Sequence, residues 1–253
     1  MSHRDQIDFL RLTRESFPHY FRGQRVLEVG SLDINGSIRQ LFTGCDYVGL
    51  DVGDGPGVDV VVSGENYDAP DGSFDVVASA ECMEHNPEWW ATTMNMVRLL
   101  RPGGLFILTC AAPGRKEHGT SRSDTWGSPL TVAAGQEHYE NLTFDDFAGA
   151  LLPLTTAHWM NWASRDTYIT GMKGSPPPNW DAYKLSVTAW LGRRHEEEGI
   201  PQLERLALSL GKRRYDAVLP AIRFARRVRK RLGRSLVGSR RNTRRDPPRS
   251  DPH

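Results

Sequence analysis

Between residues 25 and 109, short apolar runs recur at spacings that leave room for helices or long turns between them. They are Arg25 to Gly30, Tyr47 to Asp51, Val58 to Val62, Phe74 to Ala78 and Leu105 to Thr109. Runs of five or six residues are too short for helices and lack the strict alternation of a half-exposed strand, so they read as strands buried on both faces. Parallel neighbours need crossover connections, and those crossovers are right-handed. A helix is expected over about 88–100, ended by Arg101-Pro-Gly-Gly104, and a helix-like stretch over 37–42. Residues 6–21 read as a lead-in helix, with Ile7, Phe9, Leu10, Leu12 and Phe17 at apolar positions. The chain is therefore expected to fold as an α/β protein around a doubly wound sheet.

The pattern changes after the fifth run. Residues 111–141 are rich in Gly, Ser, Thr, Arg and His without a clear period, and a loop of that length in a compact domain is usually functional. Leu142 to Phe147 looks like a helix start capped by Thr143, with Asp145 and Asp146 in its first turn. Thr155 to Trp162 and Asp166 to Met172 read as two strands whose short connection makes them antiparallel. Pro176 to Pro178 marks the end of this unit, which gives a domain over 1–174. A helical extension is expected over 175–237 and a disordered basic tail over 238–253.

Charge is unevenly spread. The formal net charge is +1, yet residues 212–253 hold 15 of the 32 Lys and Arg and only 3 of the 31 Asp and Glu, so an acidic body carries a basic tail. The tail suits an anionic membrane surface, an acidic protein face, nucleic acid or plain solvation; nucleic acid is the poorest fit because the body itself is negative. No transmembrane-length apolar run is present, and the charged N-terminus has no secretory pattern. Cys45, Cys82 and Cys110 are scattered, which argues against a zinc ribbon or disulfide framework and leaves a reducing cytoplasm as the expected location.

The chemistry is expected at the carboxyl ends of the strands. Gly30 and Gly36 flank the first strand-to-helix junction, and Asp51 ends the second strand 21 residues after Gly30. Glycine admits close approach of a ligand, a helix start offers free N–H groups, and an acid at that place accepts two ribose hydroxyls. The same glycines also suit a plain turn.

Four motifs stand in order: Val26 to Gly30, Tyr47 to Asp51, Asp75 to Ser79 and Leu100 to Thr109, the last containing Arg-Pro-Gly-Gly. Together they resemble the class I S-adenosylmethionine-dependent methyltransferases of the small-molecule type, over roughly residues 20–173. That resemblance implies a Rossmann-like sheet of about seven strands with an antiparallel last strand. It also implies a set of contacts to S-adenosylmethionine. Glu28 would hold the methionine ammonium, while Gly30, Ser31, Asn35 and Gly36 would follow its carboxylate and sugar. Asp51 would bind the ribose with Val52 against the adenine. Gly64 and Glu65 would lie near the adenine amino group, and Ser79, Ala80 and Glu81 near the sulfonium. The segment Ser31 to Asn35 replaces the tight middle of the family's ExGxGxG loop.

A sulfonium needs no protein nucleophile, so the protein must orient the acceptor and take a proton from a hydroxyl. Candidate bases are His85, just past the fourth strand, and His118 and His138, in the long polar segment that follows the fifth and can cover the cofactor mouth. Tyr139 and Trp126 are candidates for lining the acceptor pocket. No metal is expected, because no close ligand spacing appears; His118, Asp124, Glu137, His138, Asp145 and Asp146 would be the donors if one bound. The expected acceptor is a small molecule, most readily a sugar or other polyhydroxylated metabolite. Alternatives are a nucleotide-dependent oxidoreductase, which would need a GxGxxG that is absent, and a non-catalytic interaction module acting through the tail.

Overall fold

A computed structural model describes residues 4–199. Helix α1 (Arg4–Ser16) leads through a 3-10 turn (Pro18–Phe21) into strand β1 (Arg25–Val29). Then come β2 (Asp46–Asp51), β3 (Val60–Val61), β4 (Phe74–Ala80), α2 (Trp89–Leu99) and β5 (Leu100–Ala111). Short helices α3 (Pro129–Ala133) and α4 (Phe144–Phe147) precede β6 (Leu154–Asn161), β7 (Asp166–Lys173) and α5 (Trp180–Glu197).

The seven strands form one sheet in the order β3-β2-β1-β4-β5-β7-β6. The first five are parallel, while β7 runs antiparallel to both β5 and β6. The order reverses between β1 and β4, and a crevice opens at the carboxyl ends of strands at such a switch point. Both faces are covered. On one, Phe9 and Leu10 of α1 and Tyr183, Val187 and Leu191 of α5 pack with Val26, Val76 and Ile107. On the other, Met96 and Val97 of α2 and Phe147 of α4 pack with Leu27, Val77 and Leu108. The Tyr183 hydroxyl bridges Thr13 (2.9 Å) and Thr170 (2.7 Å), so this buried polar group is satisfied.

Several elements differ from the expected ones. The lead-in helix ends at Ser16 because Pro18 cannot continue it and starts the 3-10 turn instead. The stretch over 37–42 is one 3-10 turn, Ile38–Leu41, since six residues after a glycine cannot sustain an α-helix without more buried surface. No α-helix N-terminus therefore follows Gly30. The third strand shrinks to two exposed residues at the sheet edge, where β2 supplies its pairing. At the other extreme β5 is longer than expected, because Leu100 already pairs with Phe74 before the Arg-Pro-Gly-Gly irregularity. The capping box at Thr143 and Asp146 is formed. No helix among the described residues is long and apolar enough to cross a membrane. The expectations for the basic tail, and the extension beyond 199, lie outside the described residues.

Candidate active site

A cleft of about 240 Å³ lies at the switch point, floored by the ends of β1, β2 and β4. Its walls include Val29 and Gly30, Leu50 to Val52, Val62 to Asn66, Glu81 and Cys82, His85, and Gly127 to Thr131. The last group comes from the long polar segment, which thus covers one side of the cleft, with Leu130 packed so closely that a Cβ on Gly53 would lie 2.9 Å from it.

Asp51 and the turn after β1 meet. One carboxylate oxygen of Asp51 accepts the Leu32 N–H at 3.0 Å and the other its neighbour Val52 N–H at 2.8 Å. Two backbone donors fix the carboxylate while each oxygen keeps a lone pair for a ligand hydroxyl. Burial still pushes the Asp51 carboxyl upward. The turn is held by Gly30 N–H and Ser31 N–H, both donating to the Leu50 carbonyl at 2.9 and 3.0 Å. Gly30 has φ +80, and a Cβ there would lie 2.4 Å from that of Cys82. Glycine is needed at this strand end to admit the Cys82 side chain, whose thiol burial holds in the neutral form.

The sequence-selected residues divide. Gly30, Asp51, Val52, Gly64, Glu65, Glu81 and His85 line the cleft. Glu28, Ser31, Asn35, Gly36, Ser79 and Ala80 are not among its lining residues. Glu28 is buried with its carboxylate accepting the Tyr47 hydroxyl at 2.7 Å, and burial pushes its carboxyl up to about 7. Ser31 is buried against Gly49. Asn35 is exposed, and the Gly36 N–H donates to Asp33 in a local turn. Ser79 donates to the Val29 carbonyl at 2.8 Å and ties β4 to β1, while Ala80 packs in the core. Residues on one strand alternate faces and depths, so adjacent positions in a motif cannot all reach one cavity.

Beyond β4 the chain turns through Glu81 at φ +55, a left-handed conformation uncommon for a side chain of this size. That places the buried Glu81 carboxylate 2.8 Å from the Arg115 guanidinium, which also contacts the buried Asp166 at the start of β7. Burial, then Asp166 and Glu84, push the Glu81 carboxyl well up; those three carboxylates hold the Arg115 guanidinium firmly charged despite its burial. Directly after follow Glu84 and His85 in a 3-10 turn, both buried. His118 comes over from the polar segment, its ring centroid 4.9 Å from that of His85, and Tyr139 closes the group at 5.5 Å from His85 and 5.0 Å from His118. Burial pushes the His85 imidazole down to about 4, so it is neutral near pH 7.

His138 does not join them. It is half-exposed, with Nε2 4.0 Å from a Glu140 carboxylate oxygen. Trp126 is exposed and outside the cleft lining, and Trp90 is exposed as well. The polar segment is not a slack loop. Tyr139 donates to the Lys116 carbonyl at 3.0 Å, Asn141 to Arg115 at 3.1 Å and Ser121 to Glu137 at 2.6 Å, so its two arms are tied together. Glu84, Arg115 and Asp166 went unselected from sequence. The adjacency of Glu84 to His85 was the one available signal; the other two are distant in the chain and meet only in the fold.

The cleft suits an adenosyl group by its donor set. A fixed carboxylate faces the first turn, the apolar side chains of Val52, Val62 and Leu130 line it, and Ser63, Glu65 and Asn66 add polar atoms.

Residues 27–108, under half of the chain, match a family described as a methyltransferase domain. An uncharacterized methyltransferase of Mycobacterium sp. (strain KMS) is 26% identical over 186 residues, covering 60% of this chain and 72% of the relative. One from Mycobacterium marinum (strain ATCC BAA-535 / M) is 27% identical over 137 residues, 53% of each chain. Among solved structures, the Burkholderia thailandensis 1,6-didemethyltoxoflavin-N1-methyltransferase, with its bound 1,6-didemethyltoxoflavin and S-adenosylhomocysteine, aligns at TM-score 0.47 and 17% identity. That alignment covers 66% of this chain and 78% of that one.

Proposed function

We propose that this chain, which carries an S-adenosylmethionine-dependent methyltransferase domain, methylates a hydroxyl oxygen of a small, polyhydroxylated acceptor such as a sugar. The observation that carries the reading is the placement of the Glu84, His85, His118 and Tyr139 group beside a cleft that ends at Asp51. When bound, S-adenosylmethionine supplies a methyl group already activated on a sulfonium.

The chain's own residues do the rest. Asp51 accepts the ribose hydroxyls, with Val52 against the base and Gly64 and Glu65 beyond it. Glu81 and His85 border the reacting end, and the polar segment from Gly127 to Thr131 limits water there. The acceptor enters against His118, the half-buried member of the pair. The imidazole there takes the hydroxyl proton as the oxygen is alkylated. Glu84, His85 and Tyr139 beside it carry polar groups, which favours an acceptor rich in hydroxyls over a flat apolar ring.

Calorimetry tests the cofactor half. S-adenosylhomocysteine is expected to bind at micromolar concentration and NAD(H) not at all. Asp51→Ala removes the ribose contact and is expected to weaken binding by one to two powers of ten, from a charge-assisted hydrogen bond of about 1.5–3 kcal/mol. Transfer of a tritiated methyl group into fractionated extract, with alkali treatment to separate ethers from esters, tests the acceptor half. Label recovered only in nitrogen or carbon linkages would refute O-methylation.

A further inference from the structure

We infer that Glu84, His85 and His118 form a three-ligand site for a divalent first-row cation at the wall of the methyl-transfer cleft. One donor atom from each of the three lies within 4.8 Å of the others. Two imidazoles and a carboxylate are the donor set that zinc and its neighbours take, with further positions left for water or substrate.

The second observation is independent of that spacing. Glu84 is fully buried, yet neither of its carboxylate oxygens has a hydrogen-bond partner among the described residues. A buried carboxylate left so is costly unless a cation meets it. The nearby Arg115 guanidinium acts on Glu84 through its charge, while its ion pairs within 4.0 Å include Glu81 and Asp166. The imidazole of His85, also buried, leaves Nδ1 without a partner. His118 Nδ1 lies 3.1 Å from the Lys116 carbonyl oxygen. Donation there fixes the tautomer and frees the Nε2 lone pair, the arrangement that orients metal-bound imidazoles.

Tetrahedral ligand edges around zinc are about 3.4 Å, from bonds of about 2.0–2.1 Å, a spacing inside the 4.8 Å limit within which the three donor atoms lie. His118 stands on the polar segment, while Glu84 and His85 sit in the turn after β4. The ion would therefore pin that segment to the sheet as well as face the cleft, where His85 is part of the lining.

The catalytic consequence, though not the binding, rests on the O-methylation reading. With an ion bound, His118 would be a ligand and not the proton acceptor of the metal-free reading; the open position would hold the acceptor hydroxyl, and its proton would pass to solvent water. The oxygen keeps the O–H electron pair and uses it to form the bond to the methyl carbon, while the carbon–sulfur pair returns to sulfur.

The test is a Co²⁺ titration of the untagged full chain after chelator treatment, read by visible d–d absorption. One tightly bound ion per chain is expected, displaced by Zn²⁺. Glu84→Gln and His118→Gln are expected to weaken it about a hundredfold, at least the effect of disturbing an outer-shell partner. Asp124→Asn, on the same segment but outside the cluster, should leave it unchanged. His118→Gln lies on the surface segment, so it reports even if Glu84→Gln folds poorly. No d–d band, no saturation at one equivalent, or wild-type affinity in both ligand variants would overturn the site. S-adenosylhomocysteine calorimetry on the chelator-treated protein separates the two proposals. A protein that binds the nucleoside but takes up no cobalt in the titration sinks only the metal site; one that takes up cobalt but binds no nucleoside sinks only the methyltransferase reading.

Discussion

Glu28 offers a perturbation whose size follows from its surroundings. It is the penultimate residue of β1, 3% exposed, with the Tyr47 hydroxyl as its hydrogen-bond donor. Burial raises its carboxyl from 4.5 to about 7, and the Tyr47 hydrogen bond only partly opposes that. Below pH 4.5 the side chain is protonated in both folded and unfolded chains. Between 4.5 and about 7 the unfolded chain releases the proton while the folded one keeps it, so stability falls as pH rises. Above about 7 the buried carboxylate is ionised in both states and the full penalty is present. The interval corresponds to roughly 3 kcal/mol. Glu28→Gln cannot ionise and keeps an oxygen for Tyr47. Urea denaturation of both proteins across pH 4 to 8.5 should show the variant gaining about 3 kcal/mol relative to the wild type as pH rises. Taking the difference removes every other titrating group. A flat difference, or one that falls with pH, would show that Glu28 is not held in a desolvated site.

Gly30→Ala must adopt φ +80 and drive a methyl group into Cys82. The two costs, about 1–2 kcal/mol for the left-handed backbone and about 1–3 for overpacking, should appear together in urea denaturation. Adding Cys82→Gly should return the packing share and leave the backbone share; no return would mean that Cys82 does not set the need for glycine. Arg115→Met leaves Glu81 and Asp166 buried without their cation. A loss of about 3–5 kcal/mol is expected at pH 8, shrinking at lower pH as Glu81, whose carboxyl burial pushes well up, protonates. A loss under about 1 kcal/mol at pH 8 would refute the buried triad.

Local pattern carried the strand positions because each central strand is buried on both faces and cannot contain a polar run without losing its packing. Val26, Leu27 and Val29, or Leu105 to Leu108, are apolar for that reason alone. Where burial is partial, the same reading loosened. Val58 to Val62 looks like a strand of five, but at the sheet edge only Val60 and Val61 pair, and both are exposed. The capping box at Thr143 was legible because its partners are three residues apart. Short-range chemistry of that kind needs no fold to predict it.

The site was legible only by its ends. Gly30, Asp51, Glu81 and His85 follow directly from strand termini, and all four line the cleft. Which neighbour in a motif turns inward depends on what lies across the strand. Ser79 is absorbed by the Val29 carbonyl and Glu28 by Tyr47, contacts no spacing rule contains. His118 and His138 look alike in sequence, in the same polar segment. The folded segment sets one ring against His85 and leaves the other beside Glu140.

From its residues alone the chain determined a doubly wound α/β sheet and the edge at which chemistry gathers, because burial on two faces writes itself into local composition. Only the tertiary structure decided that Glu84, His85 and His118 converge while His138 and Trp126 do not. Convergence depends on how a segment of about thirty residues returns across the sheet edge, and that is set by contacts between distant side chains.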